Sequence, residues 1–227
     1  MPSLPPPASQ AIEDLRHLPG VRGAALTGSW AGGDATQGSD VDILVLCGEN
    51  RFEAASRQGV LIETIYTTFE RALEKLAQNP MEAYRWLEAK ILFGSDDGLA
   101  ELIQAAQNAY ERYTTPESEK RRLSHWLRSL ALKLAAAEQA GDALKIRYLT
   151  STNAWILLEA VWAANDRPMP PTATAYRLYP LLERVPFPGW FEGLFHMNDQ
   201  KRIEATHQII AWITERLEKN DCASRAD

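Results

Sequence analysis

Two carboxylates one residue apart, Asp40 and Asp42, open the apolar run VDILVLC, and a third, Glu63, stands inside a second apolar run, LIETIY. In an extended chain residues i and i+2 point to the same side, with Cα atoms about 7 Å apart, so Asp40 and Asp42 project together. Two carboxylates at that spacing repel unless a cation lies between them. Hard divalent ions such as Mg²⁺ take oxygen ligands, commonly one or two carboxylates plus the phosphates of a substrate. Ile62, Thr64 and Ile65 mark Glu63 as a strand-interior residue, where a charge without a partner is costly. If its strand pairs beside that of Asp42, Glu63 reaches the same ions. Asp40 alone, after Ser39, reads as a turn residue; the three acids taken together do not.

Upstream lies Gly28-Ser29-Trp30-Ala31-Gly32-Gly33. Glycine lets the backbone approach a ligand closely, the N–H groups of a helix start suit a phosphate, and Ser29 adds a hydroxyl. The same serine also reads as a helix cap, and Trp30 reads equally as a nucleotide flank or a packing residue. A phosphate cradle beside a carboxylate cluster able to hold two metals is the apparatus of phosphoryl or nucleotidyl transfer.

These residues carry a resemblance. Gly28-Ser29, then about ten residues, then Asp40-x-Asp42, then the acid-bearing strand of Glu63 resembles the nucleotidyltransferase superfamily with a DNA-polymerase-β-like palm, a fairly specific pattern. It covers roughly the first 70 residues; beyond them the layout of palm followed by helices looks like the kanamycin- and streptomycin-type aminoglycoside nucleotidyltransferases. The resemblance implies a nucleoside triphosphate bound with two Mg²⁺ ions. It implies transfer of the nucleoside monophosphate, AMP from ATP, to an acceptor hydroxyl with release of pyrophosphate. Asp40 and Asp42 would hold the metals, and Glu63 would be the third ligand or the base that takes the acceptor proton. Gly28, Ser29 and Ser39 would contact the nucleotide. One departure is Gly32, where many relatives carry arginine, which leaves a positive triphosphate contact to come from elsewhere. Lys133, Lys145 and Arg147 are candidates, although helix cations are more often solvated.

The elements that must position this site follow from pattern. VRGAALTG, VDILVLC and GVLIETIYTT read as three strands, and GENRFEAASRQ as a polar connection between the last two. The proline-rich start reads as a flexible lead-in to a short helix over 9–17, with Ser9 as its cap. FERALEKLAQ and MEAYRWLEAKILF read as helices separated by Pro80, and Gly94-Ser95-Asp96-Asp97-Gly98 as a loop before another helix. From Pro116 onward helical periodicity dominates. Leu123, Leu127, Leu130 and Leu134 line one helix, and Gly141-Asp142 stops it and caps the next. That next helix carries Ile146, Leu149, Ile156, Leu157, Ala160 and Val161, and a last helix spans about 198–219. The expected fold class is α+β: a small mixed sheet with trailing helices over 1–114, then an all-helical bundle over 115–227.

Charge and composition bound the function. A net charge of −6 argues against general nucleic-acid binding but suits a cationic acceptor, to which Glu138, Asp142, Glu159 and Asp166 would contribute. Cys47 and Cys222 form neither a metal spacing nor a disulfide framework, so a cytoplasmic setting is expected. No apolar stretch is long enough to span a membrane. The four histidines show no metal-ligand spacing. Arg202-x4-His207 resembles a ribonuclease signature of HEPN domains, and surface helix residues explain it better. The leading expectation is a nucleotidyltransferase acting on a small, aminoglycoside-like hydroxyl compound. The alternatives are a protein-AMPylating enzyme of the antitoxin kind and a non-catalytic nucleotide-binding module.

Overall fold

The computed structural model describes residues 4–94 and 97–223, with side chains described for 4–94 and 98–217. Ser95 and Asp96 of the expected loop, the first three residues of the proline-rich start and the side chain of Cys222 lie outside that description. The chain divides into two compact units, Met1–Arg112 and Tyr113–Asp227.

The first unit runs α1 (Pro6–Arg16), β1 (Gly23–Thr27), α2 (Gly28–Gly32), β2 (Val41–Leu46), β3 (Arg51–Arg57), β4 (Val60–Thr67), α3 (Phe69–Gln78), α4 (Glu82–Leu87), β5 (Lys90–Phe93) and α5 (Asp97–Glu111). Its strands form one mixed sheet in the order β3-β4-β2-β1-β5. β2 and β4 are parallel, and the neighbouring pairs are antiparallel. Alternate residues of β2 serve two cores. Ile43 and Val45 pack with Ala8, Ile12 and Leu15 of α1 on one face. Leu44 and Leu46 pack with Leu76, Trp86 and Leu102 of α3, α4 and α5 on the other. Because both faces are covered, β2 reads as a continuous apolar run without alternation.

Three expectations for this unit are corrected. The helix starts at Pro6, not Ser9: prolines fit the first turn of a helix, where their missing N–H would have no partner. Ala8, Ala11, Ile12 and Leu15 then bury one stripe, and Asp14 of α1 pairs with Arg57 of β3 at 2.7 Å. Residues 51–57 are a strand, not a loop. Gln58 and Gly59, both at positive φ, form a two-residue hairpin turn that pairs Arg57 with Val60. β3 is exposed along almost its whole length, so no hydrophobic alternation announces it. Finally, the helix expected to reach Phe93 stops at Leu87, and Lys90–Phe93 pairs with β1 as an edge strand.

The second unit is helical: α6 (Glu117–Gln139), α7 (Ala143–Thr152), α8 (Ala154–Ala163), α9 (Thr172–Leu178), a 3₁₀ turn (Tyr179–Leu181), α10 (Trp190–Leu194) and α11 (Asp199–Ala223). The α6 leucines 123, 127, 130 and 134 are all buried, as their spacing predicts. Gly141 takes a left-handed φ of 64°, and the Asp142 side chain accepts from the Lys145 N–H at 3.0 Å, stopping one helix and capping the next. The helix expected after it is two helices. Asn153 breaks the run: its amide donates to the Leu149 carbonyl at 2.8 Å, and its carbonyl oxygen accepts from Trp126 Nε1 at 2.9 Å. A side chain that competes with the backbone in this way bends or ends a helix. The core closes around Leu157, Val161, Trp162, Ile209 and Ile213. Among the described residues, no helix is long and apolar enough to cross a membrane.

Candidate active site

The register brings the three acids together. β1 and β2 pair Thr27 with Asp42, and β2 and β4 pair Asp42 with Glu63. Partners in a ladder share a face, so Asp42 and Glu63 lie side by side on the face that carries Leu44 further along. One carboxylate oxygen from each of Asp40, Asp42 and Glu63 lies within 4.8 Å of the others. Burial raises the Asp42 carboxyl above its ordinary value, and the negative charges of Asp40 and Glu63 raise it further, while Arg85 pulls the other way. Like charges held this close repel, and a cation among them would relieve the repulsion.

Gly28 follows β1 with φ +64°. A Cβ there would collide with Asp42 Oδ2 and stand 3.0 Å from Asp42 Cγ. The glycine is therefore required twice, by backbone conformation and by the approach of the carboxylate. Ser29 sits in the first turn of α2, but Thr27 holds the cap position. The Ser29 hydroxyl is buried and has no hydrogen-bond partner among the described residues, so the capping role is not what the structure shows. A buried unpaired hydroxyl costs about 1–3 kcal/mol. We expect Ser29→Ala to raise the melting temperature of the nucleotide-free protein and to weaken triphosphate binding about ten- to a hundredfold. Thermal melting and calorimetric titration test the two halves separately; an unchanged dissociation constant would leave Ser29 with no ligand role.

The loop between α2 and β2 is tied down. The Ser39 hydroxyl accepts from the Thr36 N–H at 2.8 Å, and the Ser39 carbonyl accepts from Trp30 Nε1 at 3.5 Å. Ser39 thus fixes the approach of Asp40, and its hydroxyl is engaged within the protein. Trp30 is partly buried against the α1-side core, which favours packing over nucleotide contact. Arg85 had no sequence signal: it stands on a short helix beside Glu82, at 3.6 Å, and only the packing of α4 over the sheet brings its charge to bear on Asp42.

Residues 8–95 match the family described as the nucleotidyltransferase domain. This segment is a nucleotidyltransferase domain. It takes in β1, α2 and all of the acid-bearing strands. Two solved structures are weakly similar to the chain. A nucleotidyltransferase-like protein from Exiguobacterium sibiricum is 15% identical, with 94% of this chain and 74% of that chain covered and a TM-score of 0.43. The spectinomycin adenyltransferase AAD(9) from Enterococcus faecialis, solved with ATP and spectinomycin, is 14% identical, with 93% and 96% covered and a TM-score of 0.31. Neither likeness is close enough to bear on the substrates of this chain. No curated protein matches the chain at a significant level.

The other candidate residues lie in the helical unit. Arg147 is engaged with Asp199, at 3.0 Å from its Nε, and Lys133 and Lys145 are exposed. Arg202 donates to Thr150 Oγ1 and the His196 carbonyl at 3.1 and 2.9 Å, whereas His207 pairs with Glu138 at 3.0 Å. The two residues of the Arg-x4-His pattern thus serve separate helix contacts.

Proposed function

We propose that this nucleotidyltransferase moves AMP from ATP to a hydroxyl of a small hydroxylated acceptor and releases pyrophosphate. The observation that carries the reading is the convergence of Asp40, Asp42 and Glu63, one carboxylate oxygen of each within 4.8 Å of the others. An all-oxygen donor set of three carboxylates fits Mg²⁺, and like charges held this close favour a cation among them. Asp40, Asp42 and Glu63 would hold two Mg²⁺ ions, which when bound offset charge on the transferring phosphoryl group and favour ionisation of the attacking hydroxyl. Gly28 admits Asp42 to its position. Ser29 donates its hydroxyl to a non-bridging phosphate oxygen. Glu63 completes the carboxylate set or takes the proton of the acceptor hydroxyl.

The expectation of a cationic, aminoglycoside-like acceptor drew on four acids, each of which has a partner. Glu138 pairs with His207, Asp142 caps α7, Glu159 meets Arg122 at 2.6 Å, and Asp166 accepts from the Thr115 N–H at 3.2 Å. Aminoglycosides therefore enter the test as one arm among several. The assay is pyrophosphate release with ATP, GTP, CTP or UTP, with Mg²⁺, against aminoglycosides, neutral sugars and sugar acids. We expect release with ATP and at least one small acceptor. Release with none, together with AMP labelling of a co-expressed protein, would overturn the small-molecule reading in favour of protein modification.

A further inference from the structure

The helical unit holds a cavity of about 530 Å³ lined from α6 and α7 and the bend that follows, within the range of small-molecule pockets, roughly 300–1,000 Å³. Leu130 and Leu149 belong to the core and also line this cavity. Trp126 and Tyr148 line it too, yet they are 48% and 64% exposed. Two large aromatic faces are thus left open where packing alone would bury them.

The polar lining divides into two sets. Asn153 and Thr152 are engaged in holding the α7–α8 bend: Asn153 bonds Trp126 and Leu149, and Thr152 donates to the Tyr148 carbonyl at 2.7 Å. The side-chain ends of His125, Ser129, Lys133 and Tyr148, by contrast, carry no hydrogen bond or ion pair among the described residues. This free set is rich in donors: an ammonium, two hydroxyls and an imidazole. Among the described residues, no carboxylate lines the cavity. A neighbouring groove of about 210 Å³ shares His125 and adds Arg121, and Glu117, which also lines it, is paired with Lys120 at 2.8 Å. This stretch of α6 is therefore a positive zone in a chain of net charge −6.

We propose that this cavity binds a hydroxylated sugar ring bearing an anionic substituent, a phosphate or a carboxylate. Such a ring has flat C–H faces, which suit Trp126 and Tyr148. Its edge of hydroxyls meets Ser129 and the Tyr148 hydroxyl, and its anionic group meets Lys133, with the positive zone beyond His125 steering it in. A nucleobase would also stack on the aromatic faces. The free lining groups are donors, which suit hydroxyls and an anionic group best, and competition by a nucleotide is an arm of the test. That the ring is the acceptor of the transfer rests on the reading above; that it binds does not.

The test is calorimetry and saturation-transfer NMR on the full chain without nucleotide, using glucose 6-phosphate, glucose and glucosamine as probes. We expect glucose 6-phosphate to bind about tenfold more tightly than glucose, and glucosamine to bind most weakly. Trp126→Ala should weaken all three, and Tyr148→Ala, at a more exposed position, should do the same without risk to the core. Lys133→Gln should remove the advantage of the phosphate and leave glucose unchanged. Asp42→Asn should leave all three affinities as they are even where it stops transfer, which separates failure of this inference from failure of the catalytic one. The proposal is overturned if glucosamine binds most tightly, if neither aromatic substitution alters binding, or if no probe shows saturation transfer at millimolar concentration. Displacement of glucose 6-phosphate by AMP from the parent protein would overturn it in favour of a nucleotide site.

Discussion

Asp42→Asn is expected to abolish nucleotide transfer while yielding a protein that, without metal, melts at a higher temperature than the parent at neutral pH. The two effects share one cause. Asp42 is half-buried beside Asp40 and Glu63, and its carboxyl is raised first by burial and then by those two charges. A carboxyl raised in the folded state holds its proton to higher pH there than in the unfolded chain. Its contribution to stability is absent below the unfolded value, turns unfavourable as pH rises through the window between the unfolded and folded values, and stays unfavourable above it. Asparagine removes that penalty, so the gain in melting temperature should be present at neutral pH and vanish in acid. Magnesium should raise the melting temperature of the parent and have little effect on the variant, since only the parent keeps the full site. Transfer should fall by at least about a thousandfold, the scale on which stabilisation of a transferring phosphoryl group acts. Pyrophosphate release and thermal melts with and without Mg²⁺ check both halves. Parent-like turnover in the variant would remove Asp42 from the site.

Gly28→Ala is expected to disable the enzyme nearly as thoroughly, although it alters no charged or polar group. A non-glycine residue at φ +64° costs about 1–2 kcal/mol. The larger effect is local. The added methyl would occupy the space of Asp42 Oδ2, so either the carboxylate swings out of the cluster or the turn carrying Ser29 retreats. Misplacement by about 1 Å at a reacting centre can cost a hundredfold, and that is the expected loss here. Gly33 supplies the control: its φ is +90°, but nothing lies within 4 Å of the Cβ it would gain. Gly33→Ala should therefore show similar backbone strain in a thermal melt and keep most of the activity. Equal losses in the two variants would mean that backbone strain, and not the approach of Asp42, explains Gly28.

The candidate site was legible in the sequence because its residues lie close together along the chain and their chemistry is conspicuous. Asp40, Asp42 and Glu63 interrupt apolar runs, and Gly28 marks a turn, so their types alone state the problem they solve. The pairing of β2 with β4 was posed as a condition, and the register supplies it. What the sequence hid has physical reasons. β3 faces solvent on both sides, so its composition is that of a loop, and only the Gln58-Gly59 turn betrays it. β5 follows a helix with two residues between and inherits its apolar character. The break at Asn153 depends on a bond from Trp126, 27 residues away, which no local pattern contains. The influence of Arg85 on Asp42 and the free donors around Lys133 are likewise products of packing.

One consequence of the strand order concerns the nascent chain. Gly28, Ser29, Asp40, Asp42 and Glu63 fall on one short, continuous segment, joined by a β2–β4 pairing that needs only the β3 hairpin to close it. The last strand of the sheet, β5, ends at Phe93, so every strand has been synthesised before the helical unit begins to emerge. At about 5–20 residues per second, the ribosome needs several further seconds to deliver the remaining helices. Over that interval the carboxylate cluster can assemble, and a divalent ion that joins it then would favour the folded sheet before its helical neighbour exists.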